Sequence, residues 1–159
     1  MHDNMANKII QLKDSQGNNL YPVMTCNIDE LASGTGIEKR KLLWTNASPT
    51  SDFASQTVGP SQGVVLSGYD AVEIVFKASA SNSQQVIEKC EIGAGLRIER
   101  LYNPTSASNT LSNMYRGLYA KSESGVEFGA GYKKVATSTS SSIENSYLIP
   151  YKIYGVKVV

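Results

Sequence analysis

The chain has 159 residues, with 15 Lys plus Arg against 14 Asp plus Glu and a single histidine. That length suits one ordinary domain burying about 70% of its unfolded surface, and a net charge of +1 provides no field for holding nucleic acid or an anionic membrane. Only 18% of residues are charged, while Ser, Thr, Asn and Gly abound, a balance that favours strands and loops over helical surfaces.

Met1-His2-Asp3-Asn4 is no signal peptide, Met5 offers a second start, and no stretch approaches the roughly 20 apolar residues of a membrane helix. Synthesis and folding in a bacterial cytoplasm are expected. Lys8–Lys13 and Leu20–Thr25 read as short strands around the turn-rich Asp14–Asn19, a small hairpin. Asn27 can cap about one turn of helix, which Gly34 ends. The charged run Ile37–Lys41 then reads as a solvated connector, which places residues 1–40 in an attachment segment and residues 41–159 in the main domain.

From Lys41 onward all the signals are strand and turn. Leu42–Thr45 is followed by a Pro/Ser/Gly-rich stretch to Gly63, and in Asp70–Lys77 the apolar Val72, Ile74 and Phe76 alternate with Glu73 and Lys77 as in a half-buried strand. Val86–Ile92 and Leu96–Tyr102 make two more around Gly93-Ala94-Gly95, and Leu111–Ala120, Gly125–Tyr132 and Tyr147–Val159 come next. In the last, Ile149, Tyr151 and Ile153 fall on one face and Tyr154, Val156 and Val158 on the other, so a strand covered on both sides is expected. About eight turn-bounded strands predict an all-β chain, an antiparallel β-sandwich or jelly-roll head preceded by the short hairpin and one-turn helix.

Catalytic chemistry finds little to work with. His2 is the only histidine, so the usual base of a nucleophilic triad and histidine zinc centres are missing, and Cys26 and Cys90 read as two buried free thiols. The Gly-x-Gly stretches at 34–36, 93–95 and 129–131 open no helix that would hold a phosphate. Carboxylates such as Asp52, Asp70, Glu73, Glu88, Glu91, Glu99, Glu123 and Glu127 are available for glycoside cleavage, but most sit near Lys77, Lys89, Arg97 and Arg100, where ion pairing is the ordinary outcome. The expectation is a protein without catalysis, cofactor or metal.

Binding fits the composition better, because nine tyrosines against one tryptophan and three phenylalanines skew the aromatics towards rings with a polar handle. Tyr102, Asn103, Asn113, Tyr115, Arg116, Tyr132 and Lys133 bring amide, phenol and cationic groups near strand and loop ends and form the candidate ligand-binding set. Strand-face packing or a subunit interface is the alternative role for each tyrosine, and Trp44 reads as core.

Three stretches carry a family likeness. Ile9–Val23 resembles the "D-x-x-G-N, x-Y-P-V" opening of phage tail proteins; Leu43–Asn46 with Leu66–Ile74 resembles the "LW-N … L-S-x-Y-D-x-V-x-I" entry into their C-terminal heads; Ile149–Gly155 resembles the "P-x-K-I-Y-G" close. The chain thus resembles tail-fibre and receptor-binding proteins of bacteriophages and prophages of Gram-positive hosts. That likeness implies a homotrimer in the virion tail, attached to other tail or baseplate proteins and binding a host cell-wall glycan without hydrolysing it. It also implies that one face of the terminal strand packs in the sandwich and the other meets neighbouring subunits. A baseplate or decoration module without a receptor role, and a glycan depolymerase, are the alternatives.

Overall fold

The computed structural model describes residue 16, residues 37–102 and residues 111–159. The expected N-terminal hairpin and one-turn helix, Cys26 and Asn103 lie outside the described residues. The chain divides into two units, of which the larger spans Lys39–Lys157 and holds the strands and the core; in the other, Ile37 and Val159 exchange both backbone hydrogen bonds at 3.2 and 3.1 Å.

Nine strands are present among the described residues: β1 (Glu38–Thr45), β2 (Gln56–Val58), β3 (Ala71–Ser79), β4 (Asn82–Glu91), β5 (Gly95–Tyr102), β6 (Ser112–Lys121), β7 (Gly125–Val135), β8 (Ser142–Ile143) and β9 (Tyr147–Val158). No α-helix occurs among those residues. A single 3-10 turn, Pro60–Gln62, starts on a proline and closes on Gly63 at φ 83°, a conformation open to glycine at little cost.

The strands form an all-β antiparallel sandwich. One sheet runs β1-β9-β3-β4 and the other β2-β7-β6-β5, with β8 also pairing β7. Between them Val72, Ile74 and Phe76 of β3 and Ile153 of β9 meet Ile98 of β5, Leu118 of β6 and Val126 and Phe128 of β7. Phe128 stands edge-on to Phe76 at 6.2 Å and to Phe53 at 5.5 Å, so aromatic pairing ties the sheets together at mid-core. The β4–β5 turn carries the chain from one sheet to the other through Gly93 at φ 87°.

The expected alternation of the terminal strand is only partly followed. Ile149 and Ile153 are fully buried, but Tyr151 is half-buried. The register shifts between Val75 and Phe76, whose β9 partners are Lys152 and Pro150, leaving Tyr151 as the extra residue of a bulge. On the other face Val156 is buried and Tyr154 half-buried, with the Arg40 guanidinium 4.5 Å from the Tyr154 ring centre and also paired to Glu73.

Two stretches distant in sequence from it hold β9 in place. Asn46 donates its backbone N–H to the Tyr151 carbonyl at 2.8 Å and its side-chain amide to the Pro150 carbonyl at 2.9 Å. Asp70 donates its N–H to the Val156 carbonyl at 2.9 Å, and the Tyr69 ring lies so close on Gly155 that a Cβ there would meet it at 2.5 Å. Leu43–Asn46, Leu66–Ile74 and Ile149–Gly155 therefore meet at one place, where this strand is seated.

Candidate functional site

Period-2 geometry divides β6 cleanly. Ser112, Met114, Arg116, Leu118 and Ala120 are buried, whereas Asn113, Tyr115, Gly117 and Tyr119 take the outer face. On that face Glu99 of β5, Tyr115 of β6, Tyr132 of β7 and Ile143 of β8 stand directly opposite one another in register. Direct cross-strand pairs bring side chains within about 5 Å, and here they produce a continuous row.

Tyr115 and Tyr132 stack at 5.2 Å with their rings 14° apart. The guanidinium of Arg97 covers the Tyr115 ring at 3.9 Å, a cation–π contact worth about 0.5–1 kcal/mol at an exposed site. Arg97 is held by Glu99 at 2.5 Å, Glu99 accepts from the Asn113 amide at 3.0 Å, and the Tyr115 hydroxyl meets the Ser141 hydroxyl at 2.8 Å. Beside the row the β6 face is bare at Gly117, where an added Cβ would meet nothing within 4 Å. A rigid aromatic ridge with fixed polar neighbours thus borders a shallow floor. The side chains of Arg97 and Glu99 remain 58% and 47% exposed, which leaves donors and acceptors free for a ligand.

The structure brings together three of the sequence-selected residues, Asn113, Tyr115 and Tyr132. Tyr102 lies elsewhere, 5.9 Å from Tyr147 in a cavity of about 150 Å³ at one end of the sandwich. Lys133 comes after Tyr132 and points to the other side of β7, its carbonyl accepting from the Ser142 hydroxyl at 3.4 Å. Arg116, selected as a surface ligand contact, is instead fully buried, because it shares the inward phase of β6 with Met114 and Leu118. It donates to the carbonyls of Gly129 at 2.6 Å, Asn145 at 3.4 Å and Tyr147 at 3.3 Å. Burial pushes its pKa down to about 10, so it is still a cation at neutral pH, and it serves to fasten the β8–β9 connection to β6 and β7.

No family model, curated protein or solved structure matches the chain. Among the described residues no three His, Cys, Asp or Glu side chains gather as a metal site, and no helix is long and apolar enough to cross a membrane. Cys90 is a buried free thiol whose pKa is raised chiefly by burial.

Arg97, Glu99 and Ser141 complete the ridge but were not selected from sequence. Arg97 and Glu99 share one face of the alternating strand Leu96–Tyr102, a signal that could have grouped them; Ser141, in the Thr/Ser run from Thr137 to Ser142, carries none.

Proposed function

We propose that this chain is a non-enzymatic virion protein of a phage tail, whose β-sandwich head recognises a host-surface carbohydrate as a homotrimer. The observation that carries the reading is the Arg97–Tyr115–Tyr132 stack with Glu99 and Asn113 locked beside it. Sugar rings offer apolar C–H faces and hydroxyl edges, and they are met well by rings with polar rims whose rotamers are already fixed. The likeness of three stretches to phage tail proteins supports the same reading. Three copies on one axis would turn weak single sites into avidity of roughly 10² to 10⁴ over one site, where geometry permits joint engagement.

Labelled protein applied to intact host cells tests this. Adhesion of the wild type, lost in Tyr132→Ala and in Arg97→Ala with folding retained, is the expected outcome, together with a trimeric solution mass. One observation favours a purely structural module: Leu101 and Ile143, beside the ridge, are 74% and 66% exposed and would suit cover by another virion protein. In that case no cell adhesion occurs.

A further inference from the structure

The cavity at the end of the sandwich has a different chemistry from the ridge, although Leu101, beside the ridge, also lines it. Its walls include Val86, Arg100, Tyr102, Met114, Tyr147 and Gln84, and among the described lining residues Arg100 is the single charged side chain. Tyr102 and Tyr147 meet at 61°, presenting one ring face and one ring edge as a corner. Arg100 is loosely engaged, reaching Glu88 at 3.3 Å and the Glu99 carbonyl at 3.4 Å. Both distances exceed the roughly 2.7–2.9 Å of a well-made charge-assisted bond, so among the described residues most of the five guanidinium donors meet no close partner. Burial raises the Tyr147 pKa, which keeps that phenol a neutral donor. A volume of about 150 Å³ is that of a cavity able to admit one six-membered ring.

We propose that this cavity takes one monosaccharide ring bearing an anionic substituent, with Arg100 on the carboxylate or phosphate and the Tyr102–Tyr147 corner against the ring. It rests on the glycan-binding reading and names the class of sugar. The test is an NMR titration of the full chain with glucuronic acid, glucose 6-phosphate, glucose and inorganic phosphate. Both charged sugars are expected to shift resonances around Tyr147 and Met114, at least about tenfold more tightly than glucose, and Arg100→Gln is expected to remove that preference. Which of the two binds more tightly separates a uronic acid from a sugar phosphate as the natural group. Arg100 is half-exposed, so the variant should keep its melting temperature, which is measured alongside.

Equal binding of glucose and glucuronic acid, unchanged affinity in Arg100→Gln, or inorganic phosphate binding as tightly as the sugar phosphate overturns the proposal. So does silence from all four probes. The two readings fail separately. Adhesion to cells that depends on Tyr132 but not on Arg100, without charged-sugar binding, defeats the cavity alone; a wild type that does not adhere defeats the receptor reading whatever the titration gives.

Discussion

Gly155→Ala is the sharpest test of how β9 is seated. An added Cβ would lie 2.5, 2.6 and 2.7 Å from three carbons of the Tyr69 ring, closer than carbon atoms approach without displacement. Overpacking of that kind costs about 1–3 kcal/mol, which for a domain of this length lowers Tm by roughly 2–4 °C per kcal/mol. Because the obstacle is one side chain, the cost should vanish when that side chain is removed. In a Tyr69→Ala background, Gly155→Ala should become neutral or stabilise by up to about 1 kcal/mol, since it then restricts only the unfolded chain. The coupling energy of the cycle is therefore expected at roughly 1–4 kcal/mol, read by urea unfolding of the four proteins with a common m-value. If Gly155→Ala costs as much without the Tyr69 ring as with it, Tyr69 does not cover Gly155 and β9 is not seated by that ring.

Phe128→Ala should cost about 3–5 kcal/mol, and its cycle with Phe76→Ala should show about 0.5–1.5 kcal/mol of coupling between the sheets; additive losses would argue that the two rings do not meet. Stability should fall as pH rises past about 9. The ordinary thiol and phenol pKa values are 9.0 and 10.0 and burial raises both Cys90 and Tyr147, so the unfolded chain releases protons that the folded chain keeps, and stability present below that range is lost. Urea unfolding between pH 7 and 9.5 checks this. Folded Arg116, whose pKa is down to about 10, starts to lose its proton at the top of that range and adds an opposite slope to wild type and variant alike. The comparison with Cys90→Ala therefore isolates the thiol and should show a flatter fall; an equal slope in that variant removes Cys90 from the explanation. Gly131→Ala should destabilise by roughly 1–3 kcal/mol, because its Cβ would meet the Glu144 carbonyl at 2.5 Å and the Arg116 guanidinium at 2.8 Å. A melting curve identical to wild type would show that the Arg116 anchorage is dispensable.

Strand identity was legible wherever one face is buried and the other wet. Val72, Ile74 and Phe76 are all fully buried, as their alternation with Glu73 and Lys77 predicts, and Val86 and Cys90 of β4 obey the same rule. Alternation continued through Asn113–Ala120 would also have placed Arg116 inside with Met114 and Leu118; grouping residues by chemistry instead of by parity put it on the surface. Other features had no local signal. Leu148 adopts φ 48° and Tyr151 is the extra residue of the β3–β9 bulge, and neither residue type favours such geometry. The ridge joins Glu99, Tyr115, Tyr132 and Ile143 through the register of four successive strands, and the register between paired strands is not written in any one of them.

The place of β9 between β1 and β3 also sets a clock. The contact from Asn46 to Pro150 spans 104 residues, so during synthesis at about 5–20 residues per second β1 waits on the order of 5–20 s before its neighbour exists. The β5–β6–β7 meander, whose partners succeed one another directly, can pair within that interval. The sheet containing β1 is thus the last to close, and until it does its apolar strands lie open to the same strands on neighbouring nascent chains. Raising expression temperature or rate should push this protein towards inclusion bodies before any change in the stability of the finished fold is felt.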